Sequence, residues 1–216
     1  FRAPLTAGYT NLQTVFTATV QGADTNIAGF WWDFNTNGNP PMTAAGPGLW
    51  VVTNSYSAGY FGVSLLVVNA GGETAVVTKS SYIQVAPAVA YVATNGAAAA
   101  PYMTWADAAN SIQDAVNIGA GTGAEHTVVL VGPGLYSIGT EIGVAKPITI
   151  RGDQGATSAV VRSTGAARGF NLSDSNAVLE GLTICGTANG GPYFHGGGVY
   201  LTAGLVTNCV LTNNSV

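Results

Sequence analysis

Four short stretches, Val128-Val129-Leu130-Val131-Gly132, Ile148-Thr149-Ile150-Arg151-Gly152, Leu182-Thr183-Ile184-Cys185-Gly186 and Cys209-Val210-Leu211-Thr212-Asn213, can be laid one over another. Each carries apolar residues at its first and third positions. Each ends at a residue that tolerates left-handed backbone, glycine three times and then asparagine. Similar strands at unequal spacing suit a solenoid, whose coils stack strand on strand while the loops between them differ in length. In this register Val128, Ile148, Leu182 and Cys209 form one inward stack, and Leu130, Ile150, Ile184 and Leu211 form the next. The outward positions are then Val129, Thr149, Thr183 and Val210, with Val131, Arg151, Cys185 and Thr212 beside the turns.

Upstream, Ala97 to Ala100 form a featureless linker, and a helical pattern follows it. Thr104 is a good N-cap with Asp107 three residues on, and Trp105, Ala108, Ala109, Ile112, Ala115 and Val116 recur at helical spacing. The spacing predicts a helix over about 104–118 that ends near Gly119-Ala120-Gly121. Its apolar stripe needs a partner, and the first coil supplies one, so the helix is expected to cap residues 88–216 at their upstream end.

Residues 1–87 lack a helical stripe. From Thr14 to Val85 they read as short strands rich in Val, Thr, Tyr and Phe between Gly, Asn and Pro clusters. Val15 to Val20 is one such run, Gly62 to Val68 another and Thr74 to Thr78 a third, with Asn69-Ala70-Gly71-Gly72 as a hairpin turn between the last two. Strands so spaced predict an antiparallel immunoglobulin-like sandwich, and hence an all-β chain of two domains.

Only 7% of the 216 residues are charged while 47% are hydrophobic, so Gly, Thr, Asn and Ser must solubilise the surface. Such a surface repels its neighbours weakly and suits a protein that packs into walls, fibres or sheaths. The net charge is −4, with six basic residues scattered singly, which argues against nucleic acid as a partner. No stretch reaches the roughly 18 apolar residues that span a bilayer. The chain begins at Phe1, as after removal of a leader or in a fragment, and both point to export. Cys185 and Cys209 are too few for a disulfide scaffold, and their opposite parity in the register above disfavours pairing them.

Few residues carry chemistry. Asp33, Asn35 and Asn37, followed by Gly38, fit the first half of a calcium loop, in which alternate oxygen-bearing side chains face one centre. Ala44 stands where the bidentate carboxylate belongs, so the competing reading is a turn hydrogen-bonded to its own side chains, with no cofactor. Trp31 and Trp32 are adjacent, so one faces the core and the other faces out, where it could stack on a sugar. Arg151 and Asp153 are the chemical-looking pair on the coils, Lys146 and Glu180 share a register position suited to a ladder salt bridge, and His195 stands alone beside Gly196-Gly197-Gly198. No Asp-x-Asp, carboxylate pair or His-acid set is present. Asn171-Leu172-Ser173 and Asn213-Asn214-Ser215 fit the glycan-acceptor pattern.

Two resemblances attach to these motifs. Trp32-Asp33-Phe34, Asn35-Thr36-Asn37-Gly38, Tyr56-Ser57 to Tyr60, Val63-Ser64-Leu65, Asn69-Ala70-Gly71-Gly72 and Tyr82-Ile83-Gln84-Val85 resemble the polycystic-kidney-disease (PKD) repeat domain over residues 8–87. Asn-Thr-Asn-Gly replaces its usual Gly-Asp-Gly. Tyr91-Val92, Trp105-Ala106-Asp107-Ala108-Ala109, Ile112-Gln113-Asp114-Ala115-Val116, Val131-Gly132-Pro133-Gly134-Leu135-Tyr136, Leu179-Glu180-Gly181-Leu182-Thr183-Ile184 and Gly196-Gly197-Gly198-Val199-Tyr200 with Asn208-Cys209 are similar to the start of a pectin-lyase-like right-handed parallel β-helix, over residues 89–216. The resemblances imply large secreted or surface proteins of environmental bacteria, in which the first module is a spacer or adhesion domain. The second serves lyases, hydrolases, adhesins and autotransporter passengers alike.

The expected function is therefore an extracellular or cell-surface structural and adhesive protein. With no second cap after Asn213, the last coil is expected to meet another chain head-to-tail and propagate into a filament. Two alternatives stay open: a fragment of a polysaccharide lyase or glycoside hydrolase, and a carbohydrate-binding module.

Overall fold

The computed structural model describes residues 1–21, 26–36, 44–121, 125–165, 167–187 and 195–215. The chain is predominantly β, with one short helix among the described residues. It separates into two compact units, Phe1–Val85 and Ala86–Val216.

The first unit is built from β1 (Ala7–Tyr9), β2 (Leu12–Thr17), β3 (Ile27–Asp33), β4 (Ala44–Gly46), β5 (Val51–Tyr56), β6 (Gly59–Asn69) and β7 (Thr74–Ala86). One sheet has the order β1-β7-β6-β3-β4, and β2 and β5 form a second. The β2–β5, β3–β4, β3–β6 and β6–β7 pairings are antiparallel. In β2 the alternation buries Leu12, Thr14 and Phe16 and exposes Gln13 and Val15. The strand thus lies upstream of the Val15–Val20 run expected from composition. The hairpin at Asn69 is present, with Val68 opposite Thr74. Asn69 clasps the turn by accepting the Glu73 amide N–H at 2.8 Å, and Gly72 supplies the positive φ of 85°.

Both sheets feed one core, in which Phe16 and Tyr56 meet Phe30, Trp32, Val63 and Ile83. Trp32 is fully buried, stacks on Phe34 with centroids 5.9 Å apart, and donates its indole N–H to the Leu49 carbonyl at 2.9 Å. Trp31 points the other way and lies half-exposed across Gly29. Trp32→Ala is expected to cost about 3–5 kcal/mol, and Trp31→Ala about 1 kcal/mol or less. Urea unfolding followed by near-ultraviolet circular dichroism separates the two, and equal losses would contradict the assigned parity.

The second unit opens with β8 (Val89–Val92) and α1 (Ile112–Ile118). It continues through β9 (Val128–Val131), β10 (Gly134–Ile138), β11 (Ile142–Val144), β12 (Thr149–Gly152), β13 (Ala159–Ser163), β14 (Phe170–Leu172), β15 (Val178–Glu180), β16 (Thr183–Cys185), β17 (Val199–Leu201), β18 (Leu205–Thr207) and β19 (Val210–Thr212). These strands form three sheets, β18-β15-β12-β9-β8, β10-β13-β16-β19 and β11-β14-β17. Their pairings are parallel. Along the chain, successive strands from β9 fall to the three sheets in rotation, so each circuit adds one strand to each sheet.

Each sheet contributes an inward stack. Val129, Ile150 and Leu179 are in line on the first, Tyr136, Val161 and Ile184 on the second, and Ile142 and Phe170 on the third. All eight are buried in one cluster. This corrects the expected register in two ways. The Val128 and Ile148 stretches lie in the first sheet, whereas Leu182 and Cys209 lead into strands of the second. In β9 the inward residues are Val129 and Val131, because Thr149 and Arg151 point out and pair with Val128 and Leu130. Strand pattern alone cannot separate the sheets, because one circuit contains strands of the same pattern. Four consecutive apolar residues likewise conceal parity.

The helix is also shorter than the 104–118 expected. It starts at Ile112 with Ser111 as N-cap. Thr104 and Asp107 instead close a turn on each other, with the hydroxyl donating to the carboxylate at 2.7 Å. Ala109 runs along β8, donating its N–H to the Tyr91 carbonyl and accepting from the Ala93 N–H, both at 2.9 Å. Satisfying the free edge of β8 outweighs the weak helical preference of two alanines. The buried face of α1, Ile112, Ala115 and Val116, joins the interior cluster.

Candidate functional site

Asp33 ends β3 with its carboxylate turned into the protein, 5% exposed, where Oδ1 accepts the Asn35 amide N–H at 2.9 Å. That is the self-bonded turn available to any Asp two residues before a free amide. Asn37, the third residue of the calcium pattern, lies outside the described residues. No group of three or more His, Cys, Asp or Glu side chains assembles among the described residues. The Tyr56 hydroxyl is pushed up to about 12 by burial, and the Asp33 carboxylate adds to the effect.

On the first parallel sheet Glu180 lies between Arg151 and Thr207, and Leu130 is on the far side of Arg151. Lys146, expected to pair with Glu180, reaches instead to the end of α1. Its ammonium donates to the carbonyls of Asn117 at 2.8 Å and Gly119 at 2.9 Å, and burial lowers its pKa. A cation there satisfies carbonyls that the helix leaves open. Asp153 lies just past β12, its N–H held by the Val131 carbonyl.

His195 is not solitary. It stacks on Tyr200 at 6.2 Å, and the Arg168 guanidinium lies over the same ring at 4.5 Å. Arg168 also pairs with Glu141 at 3.3 Å, and Glu141 accepts from the Asn171 amide at 3.2 Å. Asn171, read as a glycan acceptor, is thus tied into this row. Arg168 and Glu141 escaped the sequence reading because they fall in connecting segments. The available signal was the outward parity of Asn171 and Tyr200 on paired strands. In both places the acid lies beside a cation, Glu180 beside Arg151 and Glu141 beside Arg168. This arrangement sets each acid against a cation and positions both on the sheet surface.

Cys185 and Cys209 are free thiols, and burial raises the pKa of Cys209. Cys185 instead pairs in register with Thr212.

The most unusual surface is the end rung formed by β17, β18 and β19. Among the described residues no strand pairs with the outer edges of these three. Leu201 continues the line of Leu172, and Leu211 that of Ile184. Leu172 and Ile184 are fully buried, whereas Leu201 is 46% and Leu211 52% exposed. Comparison with family profiles, characterised proteins and solved structures returned no match.

Proposed function

We propose that the chain is an extracellular or cell-surface structural and adhesive protein. In this reading an immunoglobulin-like sandwich of the PKD kind precedes the first coils of a right-handed parallel β-helix, and the chain associates with copies of itself. The rotation of strands among three parallel sheets supports the β-helix, as does the segment around Ala109 and α1 covering its upstream end. A charged fraction of 7% suits a protein that packs against others.

The observation that carries the proposal is the stack itself, in which rungs pair through main-chain hydrogen bonds with apolar side chains in line, Leu172 with Leu201 and Ile184 with Leu211, so that one rung is a template for the next. Bare apolar side chains beside unpaired strand edges are closed most favourably by one more rung. In the 216-residue chain a second copy supplies that rung, as in the head-to-tail contact expected from sequence. Sedimentation velocity on the 216-residue chain across a dilution series tests this. Concentration-dependent self-association is expected, and a monomer throughout the series contradicts it.

A further inference from the structure

Beside the first turn of the second unit lies an open depression of about 490 Å³, lined by Asn95, Trp105, Gly132, Pro133, Asp153 and Gln154 among others. Its volume falls within the roughly 300–1,000 Å³ of small-ligand clefts. Trp105 is 41% exposed yet braced by two neighbours. Tyr91 meets it edge-on with centroids 4.7 Å apart, and a Cβ at Gly132 would stand 2.9 Å from its ring. The segment carrying it is pinned by backbone bonds from the N–H groups of Ala97, Ala98 and Ala99 to the carbonyls of Ala106, Ala108 and Asp107, at 2.9, 3.0 and 3.0 Å. An indole fixed this way presents an apolar face at little conformational cost.

Three polar side chains line the same depression, and among the described residues none of Asn95, Asp153 or Gln154 has a side-chain hydrogen-bonding partner. Two amides offer donors and acceptors, and one carboxylate offers acceptors alone. An apolar plate beside such groups matches a pyranose ring, whose C–H face stacks on an aromatic while its hydroxyls donate and accept at the rim. Among the described residues no Lys or Arg lines the depression. Arg151, the nearest cation in sequence, sits within β12 opposite Glu180. The Asp153 carboxylate would repel a uronate or sulfated ring and accept two hydroxyl donors from a neutral one.

We propose that this depression binds a neutral sugar ring of a polysaccharide, with Trp105 as stacking plate and Asp153, Gln154 and Asn95 as hydroxyl partners. None of these residues belongs to the end rung, so the proposal stands independently of self-association. The test is native affinity electrophoresis of the full chain through gels containing β-glucan, xylan, galactomannan or polygalacturonate. At least one neutral polymer should retard the chain and polygalacturonate should not. Trp105→Ala and the exposed-site variant Asp153→Ala should each weaken retardation at least about tenfold, with Trp31→Ala unchanged. The proposal is overturned if no neutral polymer retards the chain, if polygalacturonate retards it more strongly, if Asp153→Ala behaves like the parent, or if retardation follows Trp31.

Discussion

Replacing Phe170 with alanine is expected to remove about 3–5 kcal/mol from the stability of the second unit, a large part of the roughly 5–15 kcal/mol typical of a domain. Phe170 is fully buried and stands in register between Ile142 on the preceding circuit and Val199 on the following one. The cavity left by its ring has a floor and a ceiling set by strands about 4.8 Å apart, and ladder hydrogen bonds hold that spacing, so the walls cannot close in. Leu135→Ala is the control. Leu135 lies on a parallel strand of the same unit but is 49% exposed, and its loss is expected to stay near 0.5 kcal/mol. Urea denaturation of both variants, followed by circular dichroism, supplies the comparison. Similar midpoints for the two would mean that the third stack is not the interior of the unit.

The double replacement Leu201→Glu with Leu211→Glu is expected to weaken self-association at least about a hundredfold. Where a second copy covers this rung these residues come to lie between two apolar rungs, and burying an uncompensated carboxylate there costs roughly 3 kcal/mol or more. Both leucines are about half exposed within one copy, so the substitution should leave the fold and its thermal transition nearly unchanged. Sedimentation velocity on parent and variant at matched concentrations reads the effect directly. Equal association in both would place the contact elsewhere on the molecule.

The sequence made the parallel strands visible where polar residues interrupt the apolar ones. In Ile148-Thr149-Ile150-Arg151 and in Leu182-Thr183-Ile184 the alternation is clean, and all four of these apolar residues are fully buried. In Val128-Val129-Leu130-Val131 there is no alternation, and only pairing with Thr149 and Arg151 fixes which side faces in. Likewise, Ala108 and Ala109 fit a helical stripe by spacing, yet Ala109 is recruited by the bare edge of β8. That demand arises from tertiary structure and leaves no local mark.

The sites were less legible than the fold, for a related reason. Trp105 was read as part of an apolar helix face, but residues 104–107 form a turn that leaves it exposed beside Asp153. Nothing near either residue in the chain announces the other. Glu141 and Arg168 similarly meet only because the third sheet sets Ile142 beside Phe170. By contrast, the turn at Asp33 was readable, because its hydrogen bond spans two residues and depends on nothing remote.

The claim beneath the stability, the end rung and the proposed contact is the parallel register of the first sheet, and paired cysteines test it most directly. With Cys185 and Cys209 replaced by serine, Arg151→Cys and Glu180→Cys occupy adjacent ladder positions, on strands about 4.8 Å apart. A short bifunctional thiol reagent should link them within one chain at high yield. It should not link Lys146→Cys to Glu180→Cys, because position 146 precedes β12, whose Thr149 already pairs with Val178 upstream of Glu180. Linkage of the second pair in preference to the first would contradict the register and the coil stack built on it.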